Sequence, residues 1–398
     1  MPRAAIVSPL RTPIGGFLQS LAPLPAEELA AHIMKSVIDK TGLEPHRIDD
    51  VVFAQSYANS EAPCIGRWAA LRAGLPTSVP GCQVDRRCGG GLQAIINACM
   101  MVETGAADVV LAGGVESMSN VEFYTTAMRR GVKAGSTFLF DRLERGRERS
   151  QPAERFGVIS GMIETAENLA RDFGISRKES DQYSVESHRR AAAAWGAGKF
   201  DREVVPVSIL QKKGEPRVFT KDEGIRMDCS METLEGLRPI MEGGTVTAGN
   251  ASQQNDAAAA CLVVAEDKLS MLNLEPLAFL SSWAATGCEP ATMGIGPVSA
   301  VSKLFQRSKL NWDDLDLIEL NEAFAAQVLA VLKGWDFSDM SRINVNGSGI
   351  SLGHPIAATG VRIMTSMLYE LERRDGRRAL ETMCIGGGQG IAAVFERD

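Results

Sequence analysis

One structural pattern occurs twice in the sequence, near residues 88–114 and again near residues 347–388. Each copy runs from a glycine-rich turn through an apolar helix and a strand to a second group of glycines. The two copies share this order of elements more than they share residues. Repeated alternation of helices and strands favours a layered α/β fold. The sequence therefore predicts two related α/β halves.

The segments beside these copies predict the same fold class. Near the start, AAIVSP and DDVVFAQ have the pattern of short strands, and PAEELAAHIMKSVIDKTG has that of an amphipathic helix ended by Gly42. In the C-terminal part, DLIELNEAFAAQVLAVLKG predicts a strand, a turn and a helix, and RALETMCIGGG and GIAAVFER predict two strands.

The pattern becomes irregular between residues 119 and 248, where DRLERGRERSQPAERFG is highly charged. We interpret this segment as a large insertion on the first half that carries ligand specificity. The segments TAENLARDFG and KESDQYSVESHRRAAAAWGAG predict helices inside it, and VVPVSIL predicts a strand. The expected domains are residues 1–118 with 249–270 for the first half, 119–248 for the inserted loop domain, and 271–398 for the second half.

Charge and cysteine usage exclude several classes of protein. The formal net charge of -7 disfavours nonspecific nucleic-acid binding, and no apolar run approaches the roughly 18 residues that a membrane helix requires. The first residues lack the apolar centre of a secretory signal, and FERD is not a peroxisomal address. The eight cysteines form no CxxC pair. We therefore expect a cytoplasmic protein with no metal site and no membrane or nucleic-acid partner.

Cys88 precedes three glycines and the start of an apolar helix in VDRRCGGGLQAI. Helix-start amides and the helix dipole favour a thiolate at such a position, and glycines let a substrate approach the backbone. Taken alone, a buried structural thiol is the alternative. His354, between Gly353 and Pro355 in a glycine-rich turn, is a candidate base that takes the proton of Cys88; a structural histidine is its alternative.

Two further residues have the chemistry of a site. Cys384 ends an apolar strand before three glycines, and a thiol with an unperturbed pKa of roughly 8.5 can exchange protons near neutrality when its surroundings tune it. A core cysteine at a strand end is the alternative. Asn321, in NEAFAAQ, is a candidate for binding a water or an oxyanion, and a helix cap is the alternative.

Together these segments resemble the thiolase family. The resemblance covers almost the whole chain, with motifs in the family's order and approximate spacing: RTPIGGF, VDRRCGGGLQAI, GGVESMSN, TAENLA, TVTAGNAS, NEAFAAQ, NGSGISLGHP and MCIGGGQG. It implies a thiolase-like fold and an acyl-CoA C-acyltransferase. Such an enzyme cleaves 3-oxoacyl-CoA with CoA, or condenses acyl-CoA with acetyl-CoA, by a ping-pong mechanism without a tightly bound cofactor.

The resemblance also implies a role for each catalytic residue. Cys88 would accept the acyl group as a thioester, His354 would activate it, and Cys384 would exchange a proton at the α-carbon. Asn321 would hold a water beside His354 as one oxyanion hole. The backbone amides of Cys88 and Gly386 would form the second hole, since two different thioester oxygens gain charge during the cycle.

The same resemblance implies contacts to CoA and to the acyl group. The residues concerned are Arg226 near the adenine and phosphates, Ser252 at the pantetheine arm, Ala248 and Phe324 along the tunnel, and Met162 and Met293 near the acyl group. Without the family, core packing accounts equally well for the methionines, and a solvated surface charge accounts for Arg226. CoA and acyl-CoA are thus the expected partners.

Four positions depart from common thiolase motifs. Ala357, in GHPIAATG where GHPIGATG is common, is a small change at a helix start that need not harm His354. Gly161 stands where some short-chain biosynthetic members have histidine, and Gln253 and Gln254 change the usual NASGxND. These changes put an acetoacetyl-CoA preference in doubt. The segment RRGVKAGS, residues 129–136, resembles one that assembles tetramers in some members, so a homodimer or homotetramer is expected; an exposed basic loop is the alternative.

Two other classes of protein compete with this interpretation. Ketoacyl synthases, which are related condensing enzymes, use a nucleophilic cysteine with two histidines. Here NEAFA replaces one expected histidine motif and Cys384 supplies an extra thiol, so a thiolase fits better. A noncatalytic acyl-CoA-binding protein on the same scaffold would be favoured by loss of Cys88, His354 or Cys384, and all three are present.

Overall fold

The computed structural model describes residues 1–398, and its main feature is a ten-stranded sheet with two small two-stranded sheets beside it. The strands, in chain order, are β1 (Ala4–Arg11), β2 (Gly15–Gly16), β3 (Asp50–Ala54), β4 (Cys82–Val84), β5 (Val109–Ser117), β6 (Phe123–Tyr124), β7 (Phe140–Asp141), β8 (Val207–Ile209), β9 (Arg217–Phe219), β10 (Asn255–Ala265), β11 (Ala278–Gly287), β12 (Leu317–Leu320), β13 (Arg378–Ile385) and β14 (Gln389–Glu396).

The helices, in chain order, are α1 (Ala26–Thr41), α2 (Ile65–Arg72), α3 (Gly90–Glu103), α4 (Arg142–Glu148), α5 (Ala153–Phe156), α6 (Met162–Asp172), α7 (Arg177–Gly196), α8 (Met231–Glu235), α9 (Leu269–Leu272), α10 (Gly296–Ser308), α11 (Ala325–Trp335) and α12 (Thr359–Arg373). None of them is long and apolar enough to cross a membrane.

The strand order reveals two halves with the same plan. In the first half, β3 pairs in parallel with β5, β5 pairs antiparallel with β10, and β10 pairs antiparallel with β1. In the second half, β12, β13, β14 and β11 repeat this succession. A short antiparallel contact between β1 and β11 joins the halves. The predicted α/β fold with two related halves is confirmed.

The helices form three layers around the two groups of strands. One apolar cluster joins α1 and α2 to the first-half strands, and another joins α10 and α11 to the second-half strands. The third cluster contains α3, α12 and strands of both halves. Layered packing of this kind requires each helix and each sheet to bury apolar side chains against a neighbouring layer.

The start of α3 and the start of α12 touch in the middle layer. An added Cβ at Gly91 would lie 2.6 Å from the Ala357 carbonyl oxygen, and one at Gly360 would lie 2.3 Å from the Leu92 nitrogen. Glycine is therefore needed on both sides for this approach. Because Cys88 precedes α3 and His354 precedes α12, this contact brings the two candidate residues to the same place.

The chain between the end of β5 and the start of β10 forms a further group of helices and small sheets. It contains α4 to α8 and the small sheets β6–β7 and β8–β9. A buried ion-pair network fastens it to the first half: Arg11 of β1 contacts Glu203 at 2.7 Å and Asp222 at 2.8 Å, and all three side chains are fully buried.

Candidate active site

A cavity of about 580 Å³ opens where the two halves and the inserted segment meet. Every residue predicted for the site lines it, except Asn321, which is buried behind His354. The lining residues that were predicted are Cys88, Met162, Arg226, Ala248, Ser252, Met293, Phe324, His354, Cys384 and Gly386. Residues that are far apart in the sequence thus share one space.

Cys88 lies in a 3₁₀ turn, Arg87–Gly89, immediately before α3. Arg87 has a left-handed φ of 47°, so the chain turns sharply to present Cys88 to the cavity. The backbone N–H groups of Gly386 and of Cys88 itself act on the Cys88 sulfur and favour its charged form. Two such donors can stabilise negative charge on a thiolate or on an oxygen bound there.

Burial raises the pKa of the Cys88 thiol, although the two N–H groups and the charges of Arg87 and Arg147 oppose the shift. The start of the helix therefore does not by itself ionise the Cys88 thiol of the resting protein. Loss of water around the charged form outweighs the dipole. A protonated thiol of this kind can act as a nucleophile only when a base removes its proton.

His354 has the properties that such a base requires. Burial, assisted by the positive charges of Arg362 and Arg147, lowers the pKa of His354 to about 3. Its Nδ1 lies 2.7 Å from the Thr359 hydroxyl. When Nδ1 carries the hydrogen and donates it to Thr359 Oγ1, Nε2 is left free to accept a proton.

The backbone beside His354 is fixed by Asn255 at the start of β10. The His354 N–H donates to Asn255 Oδ1 at 2.8 Å. Gly353 has a φ of 122°, and an added Cβ there would lie 2.8 Å from that same oxygen. A side chain at Gly353 would therefore break the support of His354.

Asn321 lies immediately behind the imidazole. Its Nδ2 is 3.4 Å from His354 Nδ1, and its Oδ1 is a buried polar atom without a protein partner. A buried acceptor of this kind normally binds water. The alternative of a helix cap is not what the structure has, because α11 starts at Ala325 with Phe324 as its capping residue.

Cys384 lies at the end of β13 and is buried. Burial raises its pKa well above the ordinary value, and negative charge on Cys88 or Cys288 would raise it further. Its neighbours are an apolar wall: Ala166, Val246, Met293, Ala323 and Phe324. Cys384 is thus a protonated thiol that lines the same cavity as His354 and Cys88 and is suited to donating a proton.

The predicted CoA contacts line the rest of the cavity. Met162, the first residue of α6, has its sulfur 3.6 Å from the position of a Cβ on Gly386. Ser252 is held by its N–H, which donates to the Ala323 carbonyl at 2.9 Å. Arg226 lies farther out, where its N–H donates to His188 Nδ1 at 3.1 Å.

Three of the four departures from thiolase motifs, all but Ala357, also line this cavity. Gly161 faces open space, with a φ of 148°. Gln253 is tied down, because its Nε2 donates to the Gly224 carbonyl at 3.0 Å. Gln254 has a buried Oε1 without a protein partner. The space at Gly161 enlarges the cavity, and Gln254 offers a free acceptor.

Sequence reasoning missed Glu116, which braces two walls of the site. Its carboxylate accepts from the N–H groups of Ser56, Tyr57 and Ala357 at 3.1 to 3.3 Å. Burial raises the pKa of Glu116 to about 7. A lone acidic residue in the otherwise apolar strand VVLAGGVES was the signal that could have found it.

Two cationic residues of the cavity were also missed, Arg87 and Arg147. Arg147 lies in the charged segment that the sequence presents as irregular, and no pattern there distinguishes it from a solvated arginine.

Comparison with known proteins decides the family. The family model of the thiolase N-terminal domain matches residues 4–267 of the sequence, and the family model of the thiolase C-terminal domain matches residues 274–397. The chain belongs to the thiolase family. This confirms the family predicted from the motifs.

Individual thiolases agree over the full chain. An acetyl-CoA acetyltransferase of Chromobacterium violaceum is 44% identical, with 99% of each chain covered. The crystal structure of a Bacillus anthracis acetyl-CoA acetyltransferase has a TM-score of 0.95 at 38% identity and covers 100% of this chain and 99% of its own. Human mitochondrial 3-ketoacyl-CoA thiolase in complex with CoA has a TM-score of 0.93 at 38% identity, covering 100% of this chain and 98% of its own. The predicted thiolase-like fold is thereby confirmed.

Proposed function

We propose that this thiolase is an acyl-CoA C-acyltransferase that cleaves 3-oxoacyl-CoA with CoA and, in reverse, condenses acyl-CoA with acetyl-CoA. The observation that carries the proposal is the meeting of Cys88, His354 and Cys384 in one cavity, with two backbone N–H groups that act on the Cys88 sulfur. The names of the relatives, acetyl-CoA acetyltransferase and 3-ketoacyl-CoA thiolase, support it.

In the first half of the cleavage, His354 takes the proton of Cys88 and the sulfur bonds to C3 of the substrate. The C2–C3 bond then breaks, and its electron pair stays on C2. The Cys384 thiol donates its proton to C2, so acetyl-CoA leaves and the acyl group remains on Cys88 as a thioester. The nucleophile and two proton carriers are thus separate groups.

In the second half, the CoA thiol gives its proton to the Cys384 thiolate and attacks the acyl carbonyl. Cys88 leaves as a thiolate and recovers its proton from His354. The protein ends in the protonation state in which it began. No redox step or metal is part of this cycle, and CoA acts as substrate or product.

Two oxyanion holes serve the two thioester oxygens. The N–H groups of Cys88 and Gly386 would stabilise the oxygen of the group bonded to Cys88. A water on Asn321 Oδ1 with His354 would stabilise the oxygen of acetyl-CoA when C2 carries charge. Donors placed in advance of the reaction lower its barrier without reorganising.

CoA is the proposed ligand of the outer cavity, because a relative of high structural similarity was solved in complex with it. Arg226 is proposed to contact the phosphate end, and Ser252, Ala248 and Phe324 the pantetheine arm. Met162 and Met293 would contact the acyl group. A guanidinium suits phosphate because it donates several hydrogen bonds in a plane.

The first prediction concerns turnover itself. Purified protein is expected to cleave 3-oxoacyl-CoA thioesters when CoA is supplied, because each reactive group is present. Loss of the absorbance of the 3-oxoacyl-CoA enolate, followed across a series of chain lengths, measures this reaction. Absence of turnover throughout the series, by protein whose circular dichroism shows it folded, would contradict the proposal.

Assembly into a homodimer or homotetramer is also proposed. Large apolar side chains stand exposed around the segment 129–136, namely Phe123, Met128, Val132, Phe138 and Leu139. Exposed apolar groups in such number are typical of an interaction surface. Light scattering after size exclusion measures the assembly.

In this proposal, each of the three parts of the chain supplies different site residues. Residues 1–118 with 249–270 would supply Cys88, residues 271–398 would supply Asn321, His354 and Cys384, and the inserted residues 119–248 would supply CoA contacts. A cytoplasmic location is proposed as well, and eight free thiols agree with a reducing compartment.

A further inference from the structure

Two guanidinium groups lie in the wall of the cavity near Cys88, where an apolar acyl chain would need none. Arg87 and Arg147 both line the cavity, and Glu144 is the only acidic residue that lines it with them. Burying cationic groups beside an apolar chain is costly unless an anion compensates them. The guanidinium groups therefore give the cavity a positive charge that has no role in the proposed reaction.

Arg87 is held by the protein. Its Nη2 donates to the Gly146 carbonyl at 3.3 Å, and its guanidinium lies 5.5 Å from the centre of the Tyr57 ring. An added Cβ on Gly146 would lie 3.2 Å from that ring. Helix α4 therefore packs against this wall of the cavity. Arg147, which follows Gly146 in α4, lies in the same wall.

Arg147 has no partner in the protein. It is half-buried, yet its guanidinium makes neither an ion pair nor a hydrogen bond. Glu144, one turn earlier in α4, is exposed and is not paired with it. All the N–H donors of Arg147 remain available to a ligand in the cavity.

The Arg147 guanidinium acts at the end of the cavity that contains Cys88 and His354. Burial dominates the pKa shifts of Cys88 and His354, but the Arg147 charge contributes to both. The Arg226 charge instead contributes to the pKa shifts of His188 and Cys229. The pantetheine arm separates the thiol of CoA from its phosphates. An anion at Arg147 would therefore be part of the acyl group, not a CoA phosphate.

We propose that Arg147, assisted by Arg87, binds a carboxylate at the far end of the acyl chain, so that the substrate class is 3-oxoacyl-CoA with a terminal carboxylate. This inference rests on the proposed acyltransferase function and names its substrate class. A guanidinium and a carboxylate form paired, charge-assisted hydrogen bonds, which also fix the direction of the chain. The acyl group held on Cys88 would then be the half-thioester of a dicarboxylic acid.

The test compares thioesters of equal carbon number with and without the carboxylate. The probes are 3-oxoadipyl-CoA against 3-oxohexanoyl-CoA, and 3-oxosuberyl-CoA against 3-oxooctanoyl-CoA. The protein is expected to have the higher kcat/KM for the carboxylated member of at least one pair. Higher kcat/KM for the neutral member of both pairs would overturn the proposal.

Substitution then assigns the preference to Arg147. Arg147→Met is expected to lower kcat/KM for the preferred carboxylated substrate roughly 10- to 100-fold more than kcat/KM for the neutral member of the pair, the effect of a lost charge-assisted hydrogen bond. Arg147→Lys should retain part of the preference. Arg149→Met is the matched control, since Arg149 is exposed and does not line the cavity.

The outcomes separate this inference from the function on which it rests. No turnover of any probe by the unaltered protein would contradict the acyltransferase itself. Turnover of neutral probes without a carboxylate preference would contradict only the inference. An equal loss on both kinds of probe in Arg147→Met would also overturn it, because the guanidinium would then act on the Cys88 thiolate instead of on the substrate.

Discussion

His354 differs from an ordinary surface histidine because it is neutral over the whole physiological range. Its lowered pKa, about 3, is caused by burial and by the nearby charges of Arg362 and Arg147. An imidazole that is never protonated at rest is always ready to accept a proton. In the proposed mechanism, such a weak base would hold the proton of Cys88 only while that sulfur is bonding to the substrate.

A pH prediction follows from this residue. A base with a pKa of about 3 loses function only near that pH, whereas an unperturbed histidine loses it below about 6.5. The rate at which acyl-CoA acylates the protein in a single turnover should therefore show no inflection near pH 6.5 between pH 5 and 8. This half-reaction is chosen because no CoA thiol must ionise in it.

Rapid quenching and mass spectrometry measure that rate, and circular dichroism at pH 5 checks that the protein stays folded. A tenfold fall in rate for each pH unit below 6.5 would contradict a neutral buried base and would place His354 in contact with water.

The sequence could predict that the candidate reactive residues share one site, while it could not predict the residues that hold them in place. Cys88, His354 and Cys384 stand beside glycines, a context that distinguishes a site from a core. Arg147 has no such context, because its environment depends on how α4 lies against Tyr57 and Gly146. That contact is tertiary and leaves no local signal.

At the scale of elements, the buried cluster of Arg11, Glu203 and Asp222 joins β1 to the inserted segment. Arg11 donates to both carboxylates, and its guanidinium lies 5.2 Å from the centre of the Phe200 ring. Ser366 of α12 also donates to Glu203 at 2.7 Å. Three parts of the chain thus depend on one guanidinium.

Removing that guanidinium should destabilise the fold strongly. Arg11→Met leaves two buried carboxylates without their cation, for which we expect a loss of about 3–5 kcal/mol in the free energy of unfolding. The control is Arg3→Met, whose ion pairs with Glu266 and Asp398 are exposed and should contribute about 1 kcal/mol or less. Urea unfolding followed by circular dichroism compares them. Equal effects of the two substitutions would contradict a structural role for the buried network.

Helices and strands whose apolar residues repeat at a clear period could be predicted from the sequence. The elements of the inserted segment were less predictable. The helices α1, α7 and α12 agree with their apolar patterns, and the strands β13 and β14 agree with theirs. The charged segment after residue 140 instead forms the short helices α4 and α5. Helices this short gain little stability from their own residues and form because the surrounding structure holds them.

At the scale of the whole molecule, the site exists because two related halves pack through α3 and α12. The first half provides Cys88, and the second provides Asn321, His354 and Cys384. The repeated pattern in the sequence predicted these halves. It could not predict how closely they approach, since that depends on contacts such as Gly91 with Ala357.

The central claim is that Cys88 carries the acyl group while Cys384 moves the proton. The most direct measurement is peptide mass spectrometry of the protein quenched after mixing with acyl-CoA. One acyl group is expected on Cys88, removable by added CoA, and none in Cys88→Ser. Cys384→Ser should still be acylated at Cys88, more slowly because the leaving CoA thiolate loses its proton donor, and should fail to exchange the α-protons of acetyl-CoA. An acyl group on Cys384 or on any other residue, or persistent labelling of Cys88→Ser, would contradict the account.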